Sequence, residues 1–253
     1  GNASAQICDG TIMCWPSEQA ESIAEYGRTH PLVLLDGFGF EGRVDCVFTP
    51  FLAGAKSAAE HLIEQPAPAA GHRMLILGAV YRSPEELLHA SDSPSLRLRG
   101  AYEALRDHGL PYDPANVVLS GWTRESGYET MSRILDERRD FDLVFCLTDM
   151  IAIGALKALL DHGVGVPRDV AIMGFDGVRD GRYTSPGLSS VDIDVAQIAS
   201  TCLDLLIERI DAVPRRQAPE KEHRTRSAAD ITPRTRTLDY RLVFRGSAER
   251  SRG

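Results

Sequence analysis

Two periods alternate along this chain. Short apolar runs read as strands, and each is followed by a stretch whose apolar residues recur every three or four positions, as in a helix. The clearest case is Phe145–Asp176. An apolar run at Leu143–Leu147 gives way to Thr148-Asp149. A helical pattern then spans Met150–Leu160 and stops at His162-Gly163, and Pro167 bars its continuation. A second apolar run, Val170–Met173, ends in Gly174-Phe175-Asp176. The same pattern predicts strands at Gly10–Trp15, Pro31–Leu35, Val44–Phe48, Arg73–Leu77, Val117–Leu119, Ser189–Ile193 and Asp239–Phe244. It predicts helices from Ser17 to Tyr26 and at Phe51–Glu64, Ser95–His108, Ser126–Arg138 and Val195–Ile210. Ser17 stands where a helix cap belongs, and Ser83 with Glu86, and Asp194 with Gln197, have the spacing of capping boxes. Repeated strand–helix units imply parallel sheets with right-handed crossovers. Ligands bind such sheets at the carboxyl ends of the strands, and Thr148-Asp149 and Phe175-Asp176 fall there.

Composition narrows the class. The 253 residues, 43% hydrophobic and 25% charged, suffice for one large or two small cores. No apolar run approaches the length of a membrane span, and no basic-then-apolar signal segment stands at the start. The net charge of −8 is uneven: from Asp211 onward 11 Lys/Arg face 6 Asp/Glu, a net +5, which leaves −13 for the body. An acidic body is a poor nucleic-acid surface. The basic stretch Arg215–Arg236 lacks aromatics and periodicity and holds acids, so it reads as a solvated loop. The five cysteines, Cys8, Cys14, Cys46, Cys146 and Cys202, are scattered and form no C-x-x-C. Four sit among apolar neighbours and read as small core residues, which points to free thiols in a reducing cytoplasm.

Few residues suggest covalent chemistry. Gly37–Gly42 satisfies G-x-G-x-x-G after a strand, but the next residues, Arg43–Phe48, are strand-like, whereas a dinucleotide site needs a helix N-terminus there. A glycine-rich connecting loop is the better account. Asp36 and Asp176 both end apolar strands. A carboxylate pair in a cleft could be catalytic, as in glycosidases, or could accept hydrogen bonds from ligand hydroxyls. No nucleophile elbow, phosphate loop or metal-spaced cluster is visible, so neither cofactor nor metal is expected.

As a set, Thr148-Asp149, Ala152-x-Gly154-Ala155, Val166-Pro167-Arg168-Asp169-Val170 and Gly174-Phe175-Asp176 resemble the effector-binding domain of LacI/GalR-type transcription regulators. Those domains share a fold with periplasmic sugar-binding proteins. The resemblance implies two α/β lobes of parallel sheet flanked by helices, with three chain crossings and a sugar or similar polar metabolite held between the lobes. The lobes would be 1–48 plus 193–236 and 49–192 plus 237–247, with 248–253 a tail. The first lobe would be incomplete, its first two strand–helix units and the helix-turn-helix headpiece that meets operator DNA being absent before Asp9.

By position the resemblance implies Asp36, Phe48, Ser91, Ser93, Arg97, Trp122, Thr148 and Asp176 as ligand contacts. A guanidinium at Arg97 could fork onto adjacent hydroxyls, and aromatic faces at Trp122, Phe48 and Trp15 suit a pyranose, although Phe48 and Trp15 read equally as core. Thr148 departs from the family's usual Asn: its single hydroxyl either caps the following helix or serves a different ligand. The helix Asp149–Leu160 is apolar nearly all round, implying cover on both sides. A homodimer through it and the loop Val178–Pro186 would provide that cover. An exported solute receptor for a transporter is the alternative function, and an enzyme ranks third.

Overall fold

A computed structural model describes residues 8–14, 20–212 and 232–250. Trp15, Ser17 and most of the basic stretch Arg215–Arg236 lie outside the described residues. The chain divides into two units. Unit 1 is Gly1–Thr49 with Asp194–Asp239, and unit 2 is Pro50–Ile193 with Tyr240–Gly253. The chain therefore passes from one to the other after Thr49, Ile193 and Asp239.

Among the described residues of unit 1, strands β1 (Thr11–Cys14), β2 (Leu32–Leu35), β3 (Asp45–Phe48) and β9 (Thr235–Thr237) form one all-parallel sheet in that order. Its helices are α1 (Ala20–Thr29) and α7 (Val195–Ala212). Leu32, Leu34, Phe40, Val44, Cys46 and Phe48 make its core. Strand β9 corrects the end of the loop expected here: Thr235 and Arg236, the last residues of Arg215–Arg236, pair with Cys46 and Val47, and Thr237 pairs with Phe48. Three exposed residues, Thr-Arg-Thr, bear no apolar signature, so only the pairing partner makes them a strand. The buried Asp45 carboxylate anchors this end of the unit. It takes two hydrogen bonds from Arg209 of α7, at 2.7 and 2.8 Å, and one from the Arg234 backbone at 2.7 Å. The glycine-rich stretch Gly37–Gly42 is a turn, with positive φ at Gly39 and Gly42, leading straight into β3.

Unit 2 builds a sheet in the order β10-β8-β7-β6-β4-β5. Its strands are β4 (Met74–Leu77), β5 (Val117–Val118), β6 (Leu143–Cys146), β7 (Ala171–Asp176), β8 (Ser189–Asp192) and β10 (Arg241–Val243). All pair in parallel except β10, which runs antiparallel along β8. Five helices accompany them: α2 (Phe51–Ile63), α3 (Pro84–His89), α4 (Ser93–Asp107), α5 (Arg124–Glu137) and α6 (Asp149–Asp161). Successive residues of a strand face opposite sides. A side chain on Gly174 would meet Ala152 and Asp149 of α6, whereas Phe175 meets Gly54 and Phe51 of α2. Helices α6 and α2 thus cover opposite faces of the sheet. Each is backed by a second helix at a glycine crossing: Gly100 of α4 lies against the Leu52 carbonyl of α2, and Gly154 of α6 lies against the Arg124 carbonyl of α5.

The caps agree with the sequence pattern. Ser83 and Glu86 form both halves of a capping box, although it opens a helix of only six residues, and Gln197 N donates to Asp194 Oδ1 at 3.1 Å. Two expectations need correction. Helix α6 finds its two-sided cover within unit 2, from the sheet on one side and α5 on the other. Only Met150, Ile153, Lys157, Leu160 and Asp161 are less than fully buried. The segment 248–250 is no loose tail. Ala248 is buried, and the Arg250 guanidinium donates to Asp142 and to the backbone carbonyls of Pro66 and Pro167. Of the cysteines, Cys46, Cys146 and Cys202 are buried, whereas Cys8 and Cys14 are exposed, Cys14 at the end of β1, the outermost strand of its sheet among the described residues.

Candidate ligand site

The carboxyl edge of the unit 2 sheet gathers most of the residues singled out from the sequence. Helix α4 begins with Asp92 as its cap, the side chain accepting from Ser95 N at 2.9 Å. One turn on, this start delivers the buried Arg97 over the sheet edge. Arg97 Nη1 donates to the Leu147 carbonyl at 2.8 Å, just past β6, and Nη2 donates to Asp176 Oδ1 at 3.0 Å, at the end of β7. Its guanidinium carbon lies 4.4 Å from the Phe175 ring centre, 4.6 Å from that of Phe51 and 5.6 Å from that of Trp122. The cation is thus held by a carboxylate, a carbonyl and three aromatic faces. Trp122 is 42% exposed, so its indole adds an open apolar platform to this group.

Asp176 carries two marks of a working residue. Its φ is 110°, a backbone region that costs a non-glycine residue about 1–3 kcal/mol and recurs at ligand sites. Burial raises its carboxyl pKa from 3.8 to about 6, against the lowering influence of Arg97. The desolvation wins because Asp176 has one cationic partner on one oxygen.

The loop after Asp176 is fastened by Asp149, which the sequence pattern places at the carboxyl edge of β6 but which is not among the contacts that the resemblance implies. Its buried carboxylate accepts from Ser190 Oγ at 2.6 Å and from Val178 N at 2.7 Å, tying the first turn of α6 to β8 and to the loop after β7. Burial, with the nearby Asp176 charge adding, raises its pKa to about 7 despite those bonds. Gly174 is required opposite it, since any side chain there would run into the Asp149 carboxylate. A signal is present in the sequence: an acid in a helix's first turn, and a glycine inside a buried strand. Without the fold, nothing indicates that they touch. Phe51, read only as the start of a helix, and Phe175, placed at the strand edge beside Asp176, are not among the contacts that the sequence singles out.

The other candidates fare differently. Thr148 is buried and caps α6, accepting from Ile151 N at 3.3 Å, which is the helix-capping alternative of its two readings. Ser93 is buried in the first turn of α4, while Ser91 is exposed just ahead of it. Two candidates belong to unit 1. Asp36, at φ 55°, accepts from Thr49 N at 2.8 Å and from Thr49 Oγ at 3.1 Å, fastening the ends of β2 and β3 together. Phe48 is 7% exposed and packs on Phe38 at 5.0 Å within that core. Among the described residues no group of three or more His, Cys, Asp or Glu is placed to hold a metal ion, and no helix is long and apolar enough to cross a membrane.

Known proteins give this arrangement a context. The family model described as "Periplasmic binding protein-like domain" matches residues 59–247. A LacI-family transcriptional regulator from Sanguibacter keddieii is 35% identical. The match covers 97% of this chain and 81% of that one, with a TM-score of 0.77. The transcriptional regulator CelR, solved in complex with cellobiose, is 25% identical over 96% of this chain and 67% of its own, with a TM-score of 0.74. The transcriptional repressor PurR of Glaesserella parasuis is 25% identical over 242 residues, which is 94% of this chain and 64% of that protein. The chain therefore spans somewhat under two thirds of that curated relative. A fold matched to these proteins over nearly its whole length places the chain in the periplasmic binding protein-like family, as an effector-binding domain of the LacI type of transcriptional regulator.

Proposed function

We propose that this domain binds a sugar or similar polyhydroxyl metabolite at the carboxyl edge of the unit 2 sheet, and that the complete protein is a homodimeric regulator meeting operator DNA through a separate headpiece. The observation that carries the ligand reading is the clamping of Arg97 among Leu147, Asp176 and three aromatic rings. Arg97 is already balanced by one carboxylate, so the site offers a donor and an acceptor side by side with no surplus positive charge. Such a pair suits neighbouring hydroxyls, and the half-exposed Trp122 suits the apolar face of a ring. The contacts suggest the roles: Arg97 donates, Asp176 accepts, Trp122 stacks, Ser93 lies one turn away, and Asp149 positions. Asp36 and Phe48 enter this reading as supports of the unit 1 strand ends, with Ser91 outermost.

The function is binding rather than catalysis. The two carboxylates that could serve a hydrolase, Asp36 and Asp176, are engaged by Thr49 and Arg97. The named relatives regulate transcription, which favours a regulator over a transport receptor. In that role the ligand acts by differential affinity for two arrangements of the protein, biasing one of them.

Calorimetric titration with a panel of mono- and disaccharides, cellobiose included because the CelR relative holds it, tests the reading. At least one saccharide should bind the parent protein, and Arg97→Ala and Asp176→Asn should each weaken it by about 30-fold or more, since breaking a buried charged contact costs about 2–5 kcal/mol. Equal affinity in both variants, or no saccharide binding to the parent, overturns it.

A further inference from the structure

Two candidate ligand contacts, Trp122 and Asp176, are linked on one side by Arg97, which lies 5.6 Å from the Trp122 ring centre and donates to Asp176. The same two residues are linked a second time through the chain that follows each of them. Arg124, two positions after Trp122, opens α5, and Asp180, four positions after Asp176, lies in the short helical turn Arg179–Arg182. The Arg124 guanidinium donates to the Asp180 carboxylate. Contacts and chain thus close a ring from Arg97 to Asp176, on to Asp180, across to Arg124 and back through Trp122. Both chain arms are fastened along their length. On the first, Ser126 N donates to Thr123 Oγ at 3.1 Å, and Ser126 Oγ donates to the Gly121 carbonyl at 2.6 Å, so bonds to the first turn of α5 bracket Trp122. On the second, Gly177 N donates to Ser190 Oγ at 3.2 Å, Val178 N to Asp149 at 2.7 Å, and Tyr183 N to the Asp180 carbonyl at 3.0 Å. Arms this short and this well tied pass a shift between Arg124 and Asp180 on to Trp122 and Asp176. The two pairs in the ring differ in exposure. The Arg124 and Asp180 side chains are 44% and 57% exposed, against 5% and 24% for Arg97 and Asp176. Salt therefore screens the outer pair strongly and the inner pair much less.

We propose that Arg124 and Asp180 are positioning residues, an outer clasp that presets the spacing of Trp122 and Asp176 and makes affinity for an uncharged saccharide depend on ionic strength. This rests on the reading of the unit 2 sheet edge as the ligand site. The clasp acts through Trp122 and Asp176 rather than by touching the ligand. With the pair closed, aromatic platform and acceptor already stand at one spacing, and binding need not order them. With the pair open, that ordering opposes binding. A neutral saccharide carries no charge for salt to screen, so a salt effect on its affinity reports the protein's own pairs, of which the exposed one responds most.

The test is calorimetric titration with the tightest-binding saccharide of the panel above, at ionic strengths of about 0.01 M and about 1 M, where the screening length falls from roughly 30 to roughly 3 Å. Parent affinity should fall about 2–5-fold between them, the scale of an exposed ion pair. Arg124→Gln and Asp180→Asn should each bind at the parent's high-salt affinity in both conditions. The double variant should be no weaker than either single one, since both remove the same contact. Arg124→Lys, which keeps the charge, should keep most of the salt dependence. Arg168→Ala, which breaks an exposed pair with Asp169 ahead of β7, should behave as the parent does. A parent indifferent to salt, or single losses that add in the double variant, overturns the clasp and leaves the ligand site standing. A salt effect that varies with protein concentration assigns it to self-association and also overturns the clasp. A parent that binds no saccharide brings down the ligand reading and the clasp together.

Discussion

Among single residues, the two aspartates at the unit 2 sheet edge act on ligand and on stability in opposite senses. Both have pKa values raised from 3.8, to about 7 for Asp149 and about 6 for Asp176. The native state therefore holds these protons more tightly than the unfolded chain does. Their contribution to stability is fully present below about pH 4 and is lost as pH rises through 6 and 7. Urea unfolding at pH 5 and pH 8 should show the parent protein losing more stability over that interval than Asp149→Asn, by about 1–3 kcal/mol, since one pKa unit is worth about 1.4 kcal/mol. Identical pH slopes in the two proteins would remove the argument. Ligand affinity should run the other way. Protonating Asp176 removes the charge facing Arg97 and an acceptor for ligand hydroxyls, so calorimetric affinity should fall as pH drops below about 6. The aspartates are readable in the sequence as strand-end or helix-start carboxylates. Their pKa values are not, because burial and neighbouring charge are properties of the assembled site.

At the level of elements, the unit 2 helices are specified by small residues at their crossings as much as by apolar stripes. Gly154 in mid-helix costs α6 about 1 kcal/mol of propensity relative to alanine, so Gly154→Ala would stabilise an isolated helix. In the protein, the added methyl meets the backbone of α5 at the Arg124 carbonyl and Tyr128 N. Backbone cannot rotate away as a side chain can, so the overpacking cost of about 1–3 kcal/mol should win. Net of the propensity gain, thermal unfolding should show Gly154→Ala melting below the parent by up to roughly 8 °C, given ~2–4 °C per kcal/mol at this size. A variant that melts at or above the parent would show that α5 yields. The sequence marks α6 as apolar nearly all round, but only the packing shows that α5 supplies the second cover.

For the molecule as a whole, the homodimer proposed above would use the outward remainder of α6 and the loop after β7. Ile153 is half-buried, Leu160 is 38% exposed and Tyr183 is 86% exposed. An aspartate introduced there puts an unpaired charge into any interface that forms. Analytical ultracentrifugation should find the parent dimeric and both Ile153→Asp and Tyr183→Asp shifted toward monomer. Tyr183→Asp alters a well-solvated side chain and so leaves folding intact. A monomeric parent, or a dimer that tolerates both changes, would place the assembly elsewhere.

The elements and their order are encoded locally, because helical and strand periods, caps and glycine or proline stops act over a few neighbouring residues. The placing of Asp176 at a sheet edge is equally legible, since it ends a well-marked strand, whereas Arg97 enters only through the family resemblance. Long-range packing settles the rest. It makes Thr235–Thr237 a strand by supplying β3 as a partner. It engages both Asp36 oxygens with Thr49, and makes Asp149 the residue that holds the Asp176 loop. Most of these depend on groups distant in the chain meeting at hydrogen-bond distance, and no pattern of neighbours along the sequence encodes which ones meet.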